Sequence, residues 1–174
     1  VEVYTTNAYN QNYNFKPKNG TVIVSGIKVT YFSNIFRLSN LYIAPRMITE
    51  IRKSLKNFDV IHVHFGRQPY DVYIGMNASR FRVPYMIQAH GSLPKIGKWR
   101  RLKSIFDTFF GRKILRNSSK SIALNNMEAQ YYRSTGVPEE KIAIIPNGID
   151  LSEYAELPPK GSFKKKFNIP EDKK

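Results

Sequence analysis

The amino-acid sequence predicts an α/β domain, a mostly parallel sheet with helices on both faces, and three observations carry that prediction. Two short apolar runs, Val60 to Val63 and Val83 to Ile87, each lead into a histidine-containing turn, as strands buried in a parallel sheet do. The thirteen residues from Pro69 to Phe81 join them with a helical pattern, which is the crossover a parallel pair requires. Strand-like and helix-like segments alternate along the rest of the chain, with no internal repeat or low-complexity block.

In order, Val1 to Thr6 reads as a strand and Asn7 to Gly20 as a loop. Thr21 to Val24 and Ile27 to Phe32 read as strands meeting at a tight bend, Ser25-Gly26. Ser39 or Asn40 is expected to cap a helix with Pro45 in its first turn, Ala44, Met47, Ile48, Ile51 and Leu55 on one stripe, and its end near Asn57. After the two His-tipped strands comes a loop from Gly91 to Lys98, then a helix with Leu102, Ile105, Phe106, Phe109 and Phe110 on one stripe. Ser121 to Leu124 reads as a strand, Asn126 as the cap of a helix to Ser134 stopped by Gly136, and Lys141 to Ile145 as the last strand.

At 174 residues the chain suits one domain of this kind, with an ordinary core. The absence of cysteine excludes disulfides, a thiol nucleophile and cysteine-ligated metals, and suits a reducing cytoplasm. No apolar run reaches the length of a membrane span, and the start on Val1-Glu2-Val3 without Met leads us to expect that something upstream has been removed. The net charge of +15 is uneven: residues 1–127 hold 20 Lys and Arg against 5 Asp and Glu, residues 128–174 hold 8 of each. Such a field favours an anionic partner.

Because ligands of open parallel sheets sit beyond the carboxyl ends of the strands, His64 and His90 are candidate ligand-site residues. His62 shares the His64 face and is expected to be partly buried and hydrogen-bonded. With only His90 left to join those two, no metal site is expected. Ser92 lacks the G-x-S-x-G elbow and an acidic partner, which argues against hydrolase chemistry. Neither G-x-G-x-x-G nor a Walker-A loop occurs, so the chain holds no self-contained nucleotide site of those kinds. Lys95, Lys98, Trp99, Arg100, Arg101 and Lys103 crowd the start of the Phe-rich helix. They suit either docking on anionic lipid headgroups or a solvated entrance to a core-facing helix.

Residues 121–150 closely resemble the segment that ends the amino-terminal domain of family 4 (group 1) retaining glycosyltransferases, Pro146-Asn147-Gly148-Ile149-Asp150 being the most specific string. Asp59 to His64 and His90-Gly91 fall in that family's order and at similar separations. The resemblance implies one half of a GT-B enzyme: two Rossmann-like domains facing a cleft, the acceptor held mainly by the first and the nucleotide sugar mainly by the second. It implies transfer to an acceptor hydroxyl with retention, from a nucleotide-sugar donor, with no metal or other cofactor required. The acceptor would be lipid-linked, a saccharide or a small molecule. On this resemblance His90 is catalytic, approaching the transferred sugar, Gly91 lets the turn pass close to the ligand, and His64 and Asn147 are substrate-binding.

Residues 1–150 would then be the Rossmann-like acceptor-side domain lacking its first strand, and residues 151–174 the linker and start of a nucleotide-sugar domain. Alone, the chain is expected to be inactive, and the enzyme to be cytoplasmic and peripheral on the inner face of the membrane. Asn125 stands where the family commonly has Ser or Thr. The competing reading is a basic Rossmann-like binding module for nucleic acid or an anionic membrane. Nucleic acid is not the expected partner, because the cations cluster at one helix entrance instead of forming a stripe.

Overall fold

The computed structural model describes residues 1–8, 19–38, 41–95, 99–170 and 172–173, and the fold is α/β. The expected caps Ser39 and Asn40, the middle of the first loop and residues 96–98 lie outside the described residues.

Three strands form the first sheet: β1 (Glu2–Thr6), β2 (Gly20–Val24) and β3 (Ile27–Phe32), in the order β1-β3-β2. β1 runs parallel to β3 and β2 antiparallel to it. The two-residue bend has φ of +50° at Ser25 and +79° at Gly26, the backbone hand that matches strand twist in a tight hairpin. Tyr4 anchors this sheet to the rest, its ring edge-on to Phe32 at 5.4 Å and to Phe58 at 6.2 Å.

A short hairpin follows, β4 (Phe36–Leu38) with β5 (Leu41–Ile43), where the sequence led us to expect the first turn of a helix. The helix α1 (Pro45–Ser54) starts later, with Ala44 as N-cap and Pro45 in its first turn. A residue before proline is disfavoured in the helical region, and Ala44 lies outside it at φ −126°, ψ 80°, so the start is fixed there. A 3-10 turn over Leu55–Asn57 ends the helix where expected, and Met47, Ile51 and Leu55 are buried.

The second sheet is all parallel: β6 (Ile61–His64), β7 (Tyr85–Gln88), β8 (Lys120–Ala123) and β9 (Ile142–Ile144), in that order. Each connection is helical. α2 (Pro69–Asn77) joins β6 to β7. α3 (Arg100–Phe106), a π turn (Asp107–Gly111) and α4 (Arg112–Asn117) join β7 to β8. α5 (Asn126–Ser134) joins β8 to β9. A last helix, α6 (Ser162–Lys166), lies beyond β9.

Val63, Tyr85, Ile87 and Ala123 on the strands meet Ile74 and Ala78, Ile114 and Leu115, and Ala129 and Tyr132 on the helices in one apolar core, to which α1 adds Met47 and Ile51. A Cβ at Gly75 would come within 2.6 Å of Ile114 Cγ1, so glycine there lets α2 and α4 approach closely. β6 is the edge strand. It buries Val63 and exposes Val60, His62 and His64, so the run predicted to be covered on both faces is covered on one at this strand. Among the described residues no helix is long and apolar enough to cross a membrane.

Candidate active site at the carboxyl edge of the parallel sheet

The parallel register Val63↔Ile87 and His64↔Gln88 brings the ends of β6 and β7 to one edge, and there the two predicted histidines meet. His64 Nδ1 and His90 Nε2 are 2.8 Å apart. The ring planes differ by only 5° while the centroids stand 4.9 Å apart, close to the N···N distance plus two ring radii. The rings are therefore parallel and meet edge to edge through an N–H···N bond, not stacked squarely face to face. Burial, then His62 and His90, push the His64 imidazole below its usual pKa, which keeps that ring neutral.

His62 departs from expectation: it is exposed, and its ring lies against His64 at 4.7 Å and 25°. Both histidines stand on the same, open face of β6, which lies at one edge of the parallel sheet. Among the described residues no group of three His, Cys, Asp or Glu side chains is arranged to hold a metal ion.

His90 and Gly91 are the central pair of a turn closed by Ser92 N–H donating to Ala89 O at 2.9 Å, with φ of +47° and +77°. Left-handed backbone is costly for a histidine, and the surroundings supply what holds it. The Ser92 hydroxyl donates to Phe65 O at 2.6 Å, which makes Ser92 a tie between the ends of β7 and β6. Gly91 N–H donates to Glu128 Oε1 and Leu124 N–H to Glu128 Oε2, both at 2.7 Å. Glu128 is buried in the first turn of α5, and its own N–H donates to the Asn125 side chain at 3.0 Å. Asn125, not Asn126, is thus the cap, a task asparagine performs as well as serine.

Arg67, at φ +60° in the loop after β6, is a second tie. Its guanidinium donates to both oxygens of buried Asp107, at 2.8 and 2.9 Å, and to the carbonyls of Ser92 and Leu93. Asp71, fully buried in the first turn of α2, shapes the same loop: its Oδ2 accepts from Gly66 N–H at 3.0 Å and Gln68 N–H at 2.8 Å. Oδ1 has no partner, and burial pushes the carboxyl up to about 7 against the pull of those bonds. Arg67, Asp71, Asp107 and Glu128 escaped the sequence reading. The acid three residues after a cap, as in Gln68 to Asp71 and Asn125 to Glu128, is the signal that finds two of them.

Asn147 is exposed beyond β9, three strand spacings or ~14 Å across the sheet from β6. It is not brought against the histidine pair. In the basic segment Lys95 reaches inward, 3.4 Å from Ser104 Oγ and 3.8 Å from Asp107, while Trp99, Arg100 and Arg101 are exposed and Lys103 is half-buried. Lys98 lies outside the described residues. Leu102, Ile105, Phe109 and Phe110 are exposed, and of the predicted stripe only Phe106 packs on the core. Cavities of about 400 Å³ between β3 and α1 and about 240 Å³ beside Arg67 and Asp107 do not include the histidines, which stand on an open edge.

Among solved structures the chain is similar to Anabaena Alr3699/HepE in complex with UDP (18% identity, TM-score 0.51, covering 80% of this chain and 36% of that one). The same protein in complex with UDP and glucose, and with UDP-glucose, gives 18% identity and a TM-score of 0.52 over 82% of this chain and 37% of that one. The chain thus spans little more than a third of the length of those structures, and at this identity the likeness shows the fold, one half of a GT-B architecture. No curated protein matches it. The family model described as Glycosyltransferase Family 4 matches residues 1–153, and the chain belongs to that family.

Proposed function

We propose that this chain is the acceptor-side part of an enzyme that moves a sugar from a nucleoside diphosphate to an acceptor hydroxyl with retention, and that it needs no metal or other cofactor. The observation that supports this reading best is His90, set in a left-handed turn at the carboxyl edge of the parallel sheet, where ligands of such sheets sit. The similar Anabaena structures hold UDP and UDP-glucose, which supports a nucleotide sugar as donor.

In this reading His90 hydrogen-bonds a sugar hydroxyl, and the bond tightens as positive charge develops on the ring. Gly91, without a side chain, lets the turn approach the ligand, and His64 and Asn147 border the bound substrates. The leaving diphosphate needs donors aimed at it, and the described residues hold no glycine-rich phosphate cradle. Residues 1–174 alone are therefore expected not to transfer sugar.

A peripheral contact with the anionic inner face of a membrane completes the proposal. The apolar, outward Leu102, Ile105 and Phe109 with Arg100, Arg101, Arg112 and Lys113 around them support it. Such a contact would place the site beside a lipid-linked acceptor.

The test is transfer by the full-length protein from a panel of UDP-sugars. His90→Ala is expected to lower the rate about 30-fold to 1000-fold, or roughly 2 to 4 kcal/mol in the barrier, with the fold retained. Near-normal turnover by the variant would overturn the role of His90.

A further inference from the structure

We propose that His64 and Glu128 are positioning residues that hold His90 from two sides, His64 through its ring and Glu128 through the Gly91 backbone; this rests on the sugar-transfer reading of the same site. The observation on the first side is the bond between parallel rings, 2.8 Å from His64 Nδ1 to His90 Nε2. Only one proton fits between two facing nitrogens, so each ring is confined to the tautomer that complements the other. His90 is left with Nδ1 and His64 with Nε2 for a ligand.

His62 on β6 lies against the His64 ring, Glu128 meets the turn through the Gly91 N–H, and the Arg67 guanidinium is engaged with Asp107.

On the second side both oxygens of Glu128 are spent on backbone N–H groups, Gly91 after β7 and Leu124 after β8, at 2.7 Å each. Each oxygen of this buried carboxylate is directed at a backbone donor. What it supplies is place: one side chain on α5 fixes the ends of two strands against each other and keeps the strained His90-Gly91 turn from relaxing. A shift of about 1 Å in a positioned group can cost on the order of a hundredfold in rate, so the clamp matters although it touches no substrate.

The test is performed on the full-length protein with labelled histidine and glycine, which reads tautomer and amide shift without needing activity. In the wild type His64 and His90 show tautomers complementary at the shared proton. In His64→Ala, a change at an exposed ring that leaves the core alone, the His90 tautomer ratio shifts, and His64→Gln, whose amide can pair with the same nitrogen, moves it back. In Glu128→Gln the Gly91 amide proton moves to higher field as it loses its charged acceptor. In Glu128→Gln kcat falls about ten- to a hundredfold with KM for the donor within about twofold, and in His64→Ala kcat falls by a similar factor.

An unaltered His90 tautomer ratio in His64→Ala, or an unmoved Gly91 amide in Glu128→Gln, would overturn the clamp. A wild type that shows these signatures yet transfers sugar from no UDP-sugar would defeat the transfer reading and leave the clamp standing.

Discussion

Helices α1 and α3 carry the same signal in sequence, an apolar stripe at helical spacing beside a basic flank, and they end in opposite environments. In the first, Met47, Ile51 and the following Leu55 are 5%, 5% and 1% exposed. In the second, Leu102, Ile105 and Phe109 are 53%, 55% and 70% exposed. The inward side of the α3 segment is taken instead by Asp107, which pairs with Arg67, and by Gly111, where a Cβ would stand 2.7 Å from Asp107 Oδ1. Periodicity says which residues share a helix face, and a single buried ion pair can decide which face turns inward. The π turn over Asp107–Gly111 falls at that pair, as insertions into a helix often do at functional positions.

If the ion pair sets the orientation, its loss should give the largest effect. Asp107→Ala leaves the largely buried Arg67 guanidinium with only carbonyl acceptors and no counter-charge, and urea unfolding should show a loss of about 3 to 5 kcal/mol. A loss below about 1 kcal/mol would mean that α3 is oriented by something else.

Leu55→Ala, in the buried stripe, should cost about 2 to 5 kcal/mol, whereas Leu102→Ala in the exposed one should stay within about 0.5 kcal/mol. Equal costs would erase the distinction between the helices.

The second buried carboxylate sharpens the point, because Asp71 has backbone donors but no cation. Its carboxyl is raised from 3.8 to about 7 in the fold, so between those values the native state binds more protons than the unfolded chain. Stability should therefore fall as pH rises through that window, by up to about 1.4 kcal/mol per pH unit from this group. Asp71→Asn should flatten the slope of unfolding free energy between pH 5 and pH 7; an unchanged slope would place the titration elsewhere.

The exposed stripe supplies the smallest expected effect. Phe109→Ser, Arg100→Gln and Arg101→Gln should each weaken co-sedimentation with anionic vesicles by roughly fivefold, since one cation near a charged bilayer contributes about 1 kcal/mol and one apolar anchor a similar amount. Binding that survives all three changes would count against a membrane contact through this face.

Much of the site was legible in the chain. A histidine just beyond an apolar strand run must lie at the carboxyl end of that strand, and a helical connection forces the next strand parallel, so His64 and His90 had to share an edge. The Ser25-Gly26 bend and the stop at Gly136 were legible for the same kind of reason, since they depend on backbone conformations that glycine adopts without cost. The hairpin of β4 and β5 was not: three-residue strands carry too little pattern, and the helix signal of Pro45 was extended backward over β5.

The sequence by itself determined the order and type of the main elements, the edge that gathers the histidines and the family, because alternation, crossover length and the Pro146 to Asp150 string are local properties of the chain. Only the tertiary structure decided that the two imidazoles lie parallel within hydrogen-bond distance, that Glu128 grips Gly91 and Leu124 together, and that Arg67 crosses 40 residues to Asp107. It also decided that the stripe on α3 faces outward. These are contacts between segments distant in sequence, and burial and pairing of that kind are set by what packs opposite a side chain, which no local pattern records.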